Sequence, residues 1–399
     1  MYNIREVTED LYWIGGNDNR LNLFENIHPI PEGVSYNSYL LLDEKTVLLD
    51  TVDWSIGREF MGNIKYLLGD RPLDYLIINH MEPDHAAMVE EIISLYPDVK
   101  IIGTEKTFLF MSQFGFLIGD RGIEVKDGDT MSFGKHELLF ISAPMVHWPE
   151  AMVSFDTTNG VLFSADAFGT FGSLDGKLFD DEINFERDFL EPARRYYTNI
   201  VGKYGPQVQA LLKKASGIDI KYICPLHGPI WRKDIGYIVE KYDKWSKYEA
   251  EEKGVLIVYG TMYGNTEKAA ENLAIRLTEK GMTNIAMYDA SKTHVSYLIG
   301  EAFKYSHIVL ASPTYNLNIY PPVENFIRTM KALNLQNRTF AVIENGSWAP
   351  KSGKLMRELL DEMKNINVLE DEVLITSSMH EGNISEIDSL ANSIMESMK

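Results

Sequence analysis

Up to residue 252, apolar positions come in short runs broken by turn-forming residues. Runs at 38–43, 46–50, 75–79, 100–103, 137–142, 152–155, 161–164 and 221–224 are rich in branched and aromatic residues, as β-strands are. Helical spacing lies between them, at 86–95, 189–201 and 208–215. So irregular a mixture predicts two sheets flanked by helices, not a simple alternation. The pattern changes after a charged helical stretch at 234–252. Strand-like runs at 255–259, 285–288, 307–311, 339–343 and 373–375 then alternate with helical ones at 267–280, 295–304 and 323–333. Regular β-α repetition predicts an open parallel sheet. The division is expected near Lys253, giving domains at 1–252 and 253–399, with no internal repeat and no low-complexity segment.

Charge and cysteine content narrow the chemistry. Lys plus Arg total 38 against 58 Asp plus Glu, a formal net charge of −20. A polyanion is repelled by phosphate backbones and anionic lipid, so neither nucleic acid nor a membrane is an expected partner. No apolar run approaches bilayer-spanning length, and the opening Met-Tyr-Asn-Ile-Arg-Glu lacks the basic-then-apolar order of a secretory signal. A cytoplasmic location is therefore expected. Cys224 is the one cysteine. That excludes an intramolecular disulfide, a four-thiolate iron–sulfur cluster and a rubredoxin-type iron site, and leaves His and carboxylate to hold any metal.

Such residues concentrate in Ile77-Ile78-Asn79-His80-Met81-Glu82-Pro83-Asp84-His85-Ala86. An apolar strand ends at Asn79 and a helix is expected after Asp84, so the polar residues occupy a strand-end loop, where side chains converge without disturbing a sheet. In an extended segment His80, Glu82 and Asp84 point to one side, with His85 starting the helix behind them. Asp84 taken alone could equally be a helix N-cap. Three more strand ends carry ligand-type residues: His147 in Pro144-Met145-Val146-His147-Trp148-Pro149, Asp166 in Phe163-Ser164-Ala165-Asp166, and His227 in Cys224-Pro225-Leu226-His227-Gly228. Seven nitrogen and oxygen donors, one of them able to bridge, make the inventory of a dinuclear metal site. Asp50, ending a further strand, is a candidate to orient a ligating imidazole through its other ring nitrogen, or else a turn cap. His294, His307 and His380 have no motif around them, while His136 is expected in a solvated turn and His28 in a surface loop, with the metal pocket within its reach as the alternative. Of the adjacent Tyr196 and Tyr197, one is expected in the core and the other against the metal pocket.

The second part opens with Val255-Leu256-Ile257-Val258-Tyr259-Gly260-Thr261-Met262-Tyr263-Gly264-Asn265-Thr266. A buried strand runs into a tight loop of hydroxyls, Gly and Asn, and a helix follows at once. Its first N–H groups, with the hydroxyls of Thr261 and Thr266, form a cradle for a phosphate. The loop has neither the lysine of a triphosphatase loop nor the three spaced glycines of a dinucleotide site, so a monophosphate fits better. Two later strand-end loops, Ser312-Pro313-Thr314-Tyr315-Asn316 and Asn345-Gly346-Ser347-Trp348, fall where ligands of open parallel sheets bind.

The order His-x-Glu-x-Asp-His, followed at long intervals by His, Asp and His, resembles the metallo-β-lactamase superfamily. Hydrolases of that superfamily carry His where this chain has Glu82, and the exchange adds a hard anionic donor that favours iron over zinc. The phosphate loop resembles that of flavodoxins, with Tyr263 at a position where they have Thr. The two halves together resemble the flavodiiron protein family. That resemblance implies a metallo-β-lactamase-like αββα sandwich over 1–252 and a flavodoxin-like doubly wound sheet over 253–399. It implies one iron held by His80, Glu82 and His147, a second by Asp84 and His227, Asp166 as the bridge, and His85 as a ligand in some members. FMN would be held by Thr261, Met262, Tyr263, Gly264, Asn265 and Thr266, by Ser312 to Asn316, and by Asn345, Gly346, Ser347 and Trp348, the last stacking on the flavin ring. The implied activity is reduction of dioxygen or nitric oxide. Because no rubredoxin follows Lys399, the donor is expected to be a separate protein such as rubredoxin. The implied assembly is a head-to-tail homodimer or a dimer of such dimers. Two other classes stay open at this point: a zinc hydrolase fused to a regulatory flavodoxin, and an electron-transfer flavoprotein with a vestigial first half.

Overall fold

The strand Thr46–Leu49 is buried on both faces, and its position explains why: it lies in the middle of a seven-stranded sheet. That sheet runs Arg5–Thr8, Leu11–Trp13, Tyr39–Leu42, Thr46–Leu49, Tyr75–Ile77, Lys100–Gly103, Gly122–Glu124. It is antiparallel through the first four strands and parallel thereafter. A five-stranded sheet follows the order Thr130–Ser132, Glu137–Ser142, Met152–Asp156, Val161–Phe163, Tyr222–Cys224, with only the last pair parallel. Leu49 and Ile77 from the first sheet share one core with Phe140 and Phe163 from the second, so the two sheets pack as a sandwich. Helices such as Gly57–Leu68 cover the outside.

The computed structural model describes residues 2–399, and these fall into two compact units. The first ends at Tyr197 and resumes over Pro206–Asp243; the second comprises Thr198–Gly205 and Lys244–Lys399. In the second, five parallel strands lie in the order Ile285–Asp289, Glu252–Tyr259, Tyr305–Tyr315, Arg338–Asn345, Ile366–Ile375. This 2-1-3-4-5 order is the flavodoxin-like doubly wound arrangement. Helix Asn265–Glu279 buries Ala269, Leu273 and Leu277 against one face, beside Ile387, Leu390 and Ile394 of helix Glu381–Ser397. Among the described residues no helix is long and apolar enough to cross a membrane.

The structure corrects several local expectations. The charged helix is Ile235–Ser246, not 234–252: Tyr248 takes a positive φ of 57° and the chain re-enters as the strand Glu252–Tyr259. Residues 244–251 belong to the second unit because Arg338, fully buried, donates to the carbonyl of Tyr248 at 2.7 Å as well as to those of Ala302 and Phe303. The segment 198–205 joins it through Asn199, which donates to the Ser296 carbonyl, and Gly205, whose N–H donates to the Tyr248 hydroxyl. The helix expected at 189–201 is α-helical over Leu190–Tyr196 and continues as a π-helix over Tyr197–Val201, while that expected at 86–95 is two helices, Pro83–Ala86 and Val89–Leu95. Asp84 is thus neither an N-cap nor part of an extended segment, but lies in the first turn after Pro83, a favoured first helical residue. Strands Arg5–Thr8 and Leu11–Trp13 and helices Ser352–Asp361 and Glu381–Ser397 add to the expected set.

Candidate functional site

In the first unit the site is set on a loop whose backbone is fixed from below. Asp50, at the end of Thr46–Leu49 with φ 55°, accepts from the N–H groups of Asn79 (2.7 Å) and His80 (3.2 Å) and from the Asn79 side chain (2.8 Å). Burial raises its pKa to about 6, against those hydrogen bonds. Asp50 therefore shapes the loop; it does not bind an imidazole. The carboxylate that does is Glu150, whose Oε1 accepts from His80 Nδ1 at 2.9 Å. No motif pointed to it.

From that loop and three further strand ends, seven side chains form two adjacent groups. His80, Glu82, His147 and Asp166 bring one ligand atom each within 4.8 Å of the others; Asp84, His85 and His227 do the same. His147 Nε2 lies 2.9 Å from Glu82 Oε2 and 3.1 Å from Asp166 Oδ2, and His80 Nε2 lies 3.2 Å and 3.3 Å from the same two oxygens. The other Asp166 oxygen, Oδ1, is 3.2 Å from His85 Nε2 and 3.6 Å from His227 Nε2. Asp166 thus presents one oxygen to each group. The left-handed Ala165, φ 50°, turns the chain there.

Three observations show that metal ions fit. The spacings of 2.9 to 3.6 Å are the edges of a coordination shell with bonds of about 2.1 Å. His227 donates its Nδ1–H to the Ser35 carbonyl at 2.7 Å, which leaves Nε2 a lone pair aimed at His85 Nε2, 3.1 Å away. Two ring nitrogens so placed need a cation or a proton between them. Finally, both oxygens of Asp84 are buried without a hydrogen-bond partner. Burial pushes the His147 pKa down, but hydrogen bonds to Asp166 and Glu82 outweigh it and lift it to about 9. Burial likewise opposes ionisation of Glu82, yet His147 and His80 hold its pKa well below the usual carboxylate range. Protons here stand in for the charge that cations would supply.

The walls are aromatic. Phe24, Tyr36 and Tyr196 lie with ring centroids 5.3, 5.5 and 5.5 Å from that of His227. Tyr196 lines the pocket, its hydroxyl buried without a partner, while Tyr197 packs on Tyr242. His28 is not in a surface loop: it is 9% exposed, against Phe171 and 3.6 Å from Glu25. Nor is His136 solvated, for it is fully buried between Asp156 (2.9 Å) and Asp10 (3.3 Å), where its ring ties a turn to the end of strand Met152–Asp156. His294 accepts from the N–H of Ser296 at the start of helix Val295–Lys304.

In the second unit a cleft of about 310 Å³ opens at the carboxyl ends of the strands. Thr261, Met262, Tyr263, Asn265, Thr266, Pro313, Thr314, Asn316, Asn345, Gly346, Ser347 and Trp348 line it, as do Leu317 and Ser377, which the sequence reading did not single out. Gly264 shapes the loop, not the wall: its φ of 88° suits glycine, and its N–H donates to Thr261 Oγ1. Ser312 is buried and accepts from the N–H of Tyr320, and Tyr315 stands against Tyr320, so neither lines the cleft. Helix Asn265–Glu279 starts without a side-chain cap, which leaves its first N–H groups free for an anion. No charged residue lines the cleft, and Trp348 stands 79% exposed beside it, open to stacking on a planar ring. The cradle fits a flavin mononucleotide.

Comparison with known proteins agrees. An ODP-family β-lactamase model matches residues 34–228 and a flavodoxin model residues 257–374. A nitric oxide reductase of Moorella thermoacetica is 32% identical over 361 residues, 90% of this chain and 90% of that protein. Rubredoxin oxygen:oxidoreductase of Desulfovibrio gigas superposes with a TM-score of 0.92 at 28% identity, covering 99% of this chain and 98% of the other. The flavodiiron protein of Giardia intestinalis superposes equally well, with a TM-score of 0.92 at 25% identity, over 99% and 97%. The chain belongs to the flavodiiron protein family. Like other flavodiiron proteins it joins a lactamase-like and a flavodoxin-like domain and is an oxidoreductase, and its cofactors are FMN and a diiron centre.

Proposed function

We propose that this chain reduces dioxygen to water, nitric oxide to nitrous oxide, or both, in the cytoplasm, with electrons passing from a separate rubredoxin-like protein through FMN to the diiron centre. The observation that carries the reading is the pairing, in one chain, of a two-group histidine–carboxylate cluster with an uncharged phosphate cradle. The names of the Moorella and Desulfovibrio relatives support both gases. In this reading His80, Glu82 and His147 would hold one iron and Asp84, His85 and His227 the other, with Asp166 offering one oxygen to each. Bound together, iron and flavin would store four electrons, enough with four protons for dioxygen to two waters; two nitric oxides need two electrons and two protons.

The chain's own residues set the conditions for this chemistry. Metal ligation takes the lone pairs of four imidazoles, and the three carboxylates then leave the pocket a negative charge that cations must balance. Phe24, Tyr36 and Tyr196 keep bulk water from the second group. Thr261, Thr266 and the helix start would hold the FMN phosphate, and Trp348 would orient the ring. To test the reading, metals are measured in protein made with ample iron, and consumption of each gas is followed with reduced rubredoxin. Two irons and one FMN per chain with turnover of at least one gas is expected; zinc as the dominant metal, or inertness to both gases, overturns the reading.

We also propose a head-to-tail homodimer, which a two-fold axis closes and endows with two equivalent composite sites. In a heterodimer of Thr266→Asp with Asp84→Ala/His147→Ala, transfer between subunits restores one working site. Absence of activity in a verified heterodimer refutes the crossed arrangement.

A further inference from the structure

The loop that carries His147 also carries Glu150, which is 1% exposed. One oxygen, Oε1, accepts from His80 Nδ1–H at 2.9 Å and from the N–H of Met81 at 2.9 Å; the other, Oε2, is buried without a partner. Holding a buried carboxylate with one bare oxygen is costly, and packing alone does not require it. The loop itself is anchored. The Glu150 carbonyl accepts from Thr104 Oγ1 at 3.3 Å, and Thr104 caps helix Glu105–Gln113. Trp148, on the same loop, stands edge-on to the His80 ring with centroids 5.5 Å apart. His80 is thus held at Nδ1 and along its side, with Nε2 directed at Glu82 and Asp166.

The second group lacks this backing. His227 donates its Nδ1–H to a neutral carbonyl, that of Ser35, and His85 Nδ1 has no hydrogen-bond partner. Glu82 and Asp84 give each group one carboxylate of its own, and Asp166 gives each one oxygen. Among the Nδ1 partners of His80, His85 and His227, Glu150 is therefore the one that carries a charge.

We propose that Glu150 is a positioning residue that fixes the tautomer and orientation of His80 and makes its group the one that keeps ferric iron when the pair holds a single ferric ion. This rests on the diiron reading above. An imidazole whose N–H meets a carboxylate is a more basic ligand than one whose N–H meets a carbonyl. The added negative charge stabilises the more highly charged ion of a redox pair more than the less charged one.

The test compares Glu150→Gln with Glu150→Ala in the holoprotein. Gln keeps an acceptor for His80 and Met81 but removes the charge; Ala removes both. Ala is expected to release iron to a chelator 10- to 100-fold more readily, the usual range for loss of such a partner, and Gln to retain most of it. In a potentiometric titration followed by EPR, Gln is expected to bring the two iron potentials together and reduce the mixed-valent signal. A tenfold loss of ferric preference corresponds to about 59 mV. FMN content and circular dichroism verify folding; if the Ala variant does not fold, the potentials of the Gln variant decide alone. Wild-type potentials and signal in Gln, or equal iron loss in both variants, overturn the proposal while leaving the diiron reading intact. Wild-type protein that binds zinc and shows no iron signal overturns both.

Discussion

Replacing Thr266 by Asp tests the phosphate cradle at its most enclosed point. Thr266 is 2% exposed and is the second residue of helix Asn265–Glu279, whose first turn has no side-chain cap. A carboxylate there would share the same N–H groups with the phosphate. Two unit charges about 4 Å apart repel by about 4 kcal/mol at an effective dielectric constant of about 20, and a dianion roughly doubles this. In the empty site the helix start stabilises the new carboxylate by up to about 1 kcal/mol, which widens the difference further. If half of the repulsion is relieved by small movements, about 4 kcal/mol remains, close to a thousandfold in Kd. The assay is titration of flavin-free protein with FMN, followed by quenching of flavin fluorescence, with iron content as the control on the first unit. The expected result is a loss of about three decades in FMN affinity with iron unchanged. Affinity within tenfold of wild type would show that the phosphate does not sit at this helix start.

Two further outcomes follow from the first unit. Glu82→His exchanges a hard anionic donor for a neutral nitrogen, so elemental analysis should find less iron and a larger zinc fraction; unchanged iron would refute the charge argument. The second concerns His136, whose pKa is raised chiefly by its hydrogen bond to Asp156, against burial. Its folded pKa exceeds the unfolded value, so the stabilisation is full below about pH 6.5 and is lost as pH rises through the folded pKa. His136→Asn should therefore fall furthest below wild type in urea midpoint at pH 5.5 and approach it at high pH, and a gap independent of pH would contradict this.

The metal ligands were legible because they stand at strand ends flagged by apolar runs, and the phosphate loop because a buried strand meets Gly264 and a helix start. Contacts between distant segments were not. Glu150 follows Trp148-Pro149 and looks like a surface acid until the fold brings it to His80, 70 positions earlier. His136 sits beside Gly134 and Lys135, which read as a turn, yet the turn folds inward onto Asp156. The first residues of Ile366–Ile375 are half-exposed and interrupted by Asn367, Glu370 and Asp371, so the apolar run shrank to its buried end. Helix Glu381–Ser397 buries Ile387, Leu390, Ala391 and Ile394 at helical spacing, but polar residues between them masked the period.

The backbone passes between the two units at three places, Tyr197–Thr198, Gly205–Pro206 and Asp243–Lys244. Neither half is therefore a detachable cassette. A protease nick within 244–251 leaves both fragments tethered, because Thr198–Gly205 still threads from one unit into the other. A gene cut at the same point yields a flavin-binding half without that segment, and Tyr248, whose hydroxyl contacts Lys203 and Gly205, loses those partners. Exchange of electron-transfer modules between relatives then requires two grafts made together, residues 198–205 and 244–399, and a chimera joined at a single point inherits a gap in the unit it was meant to carry.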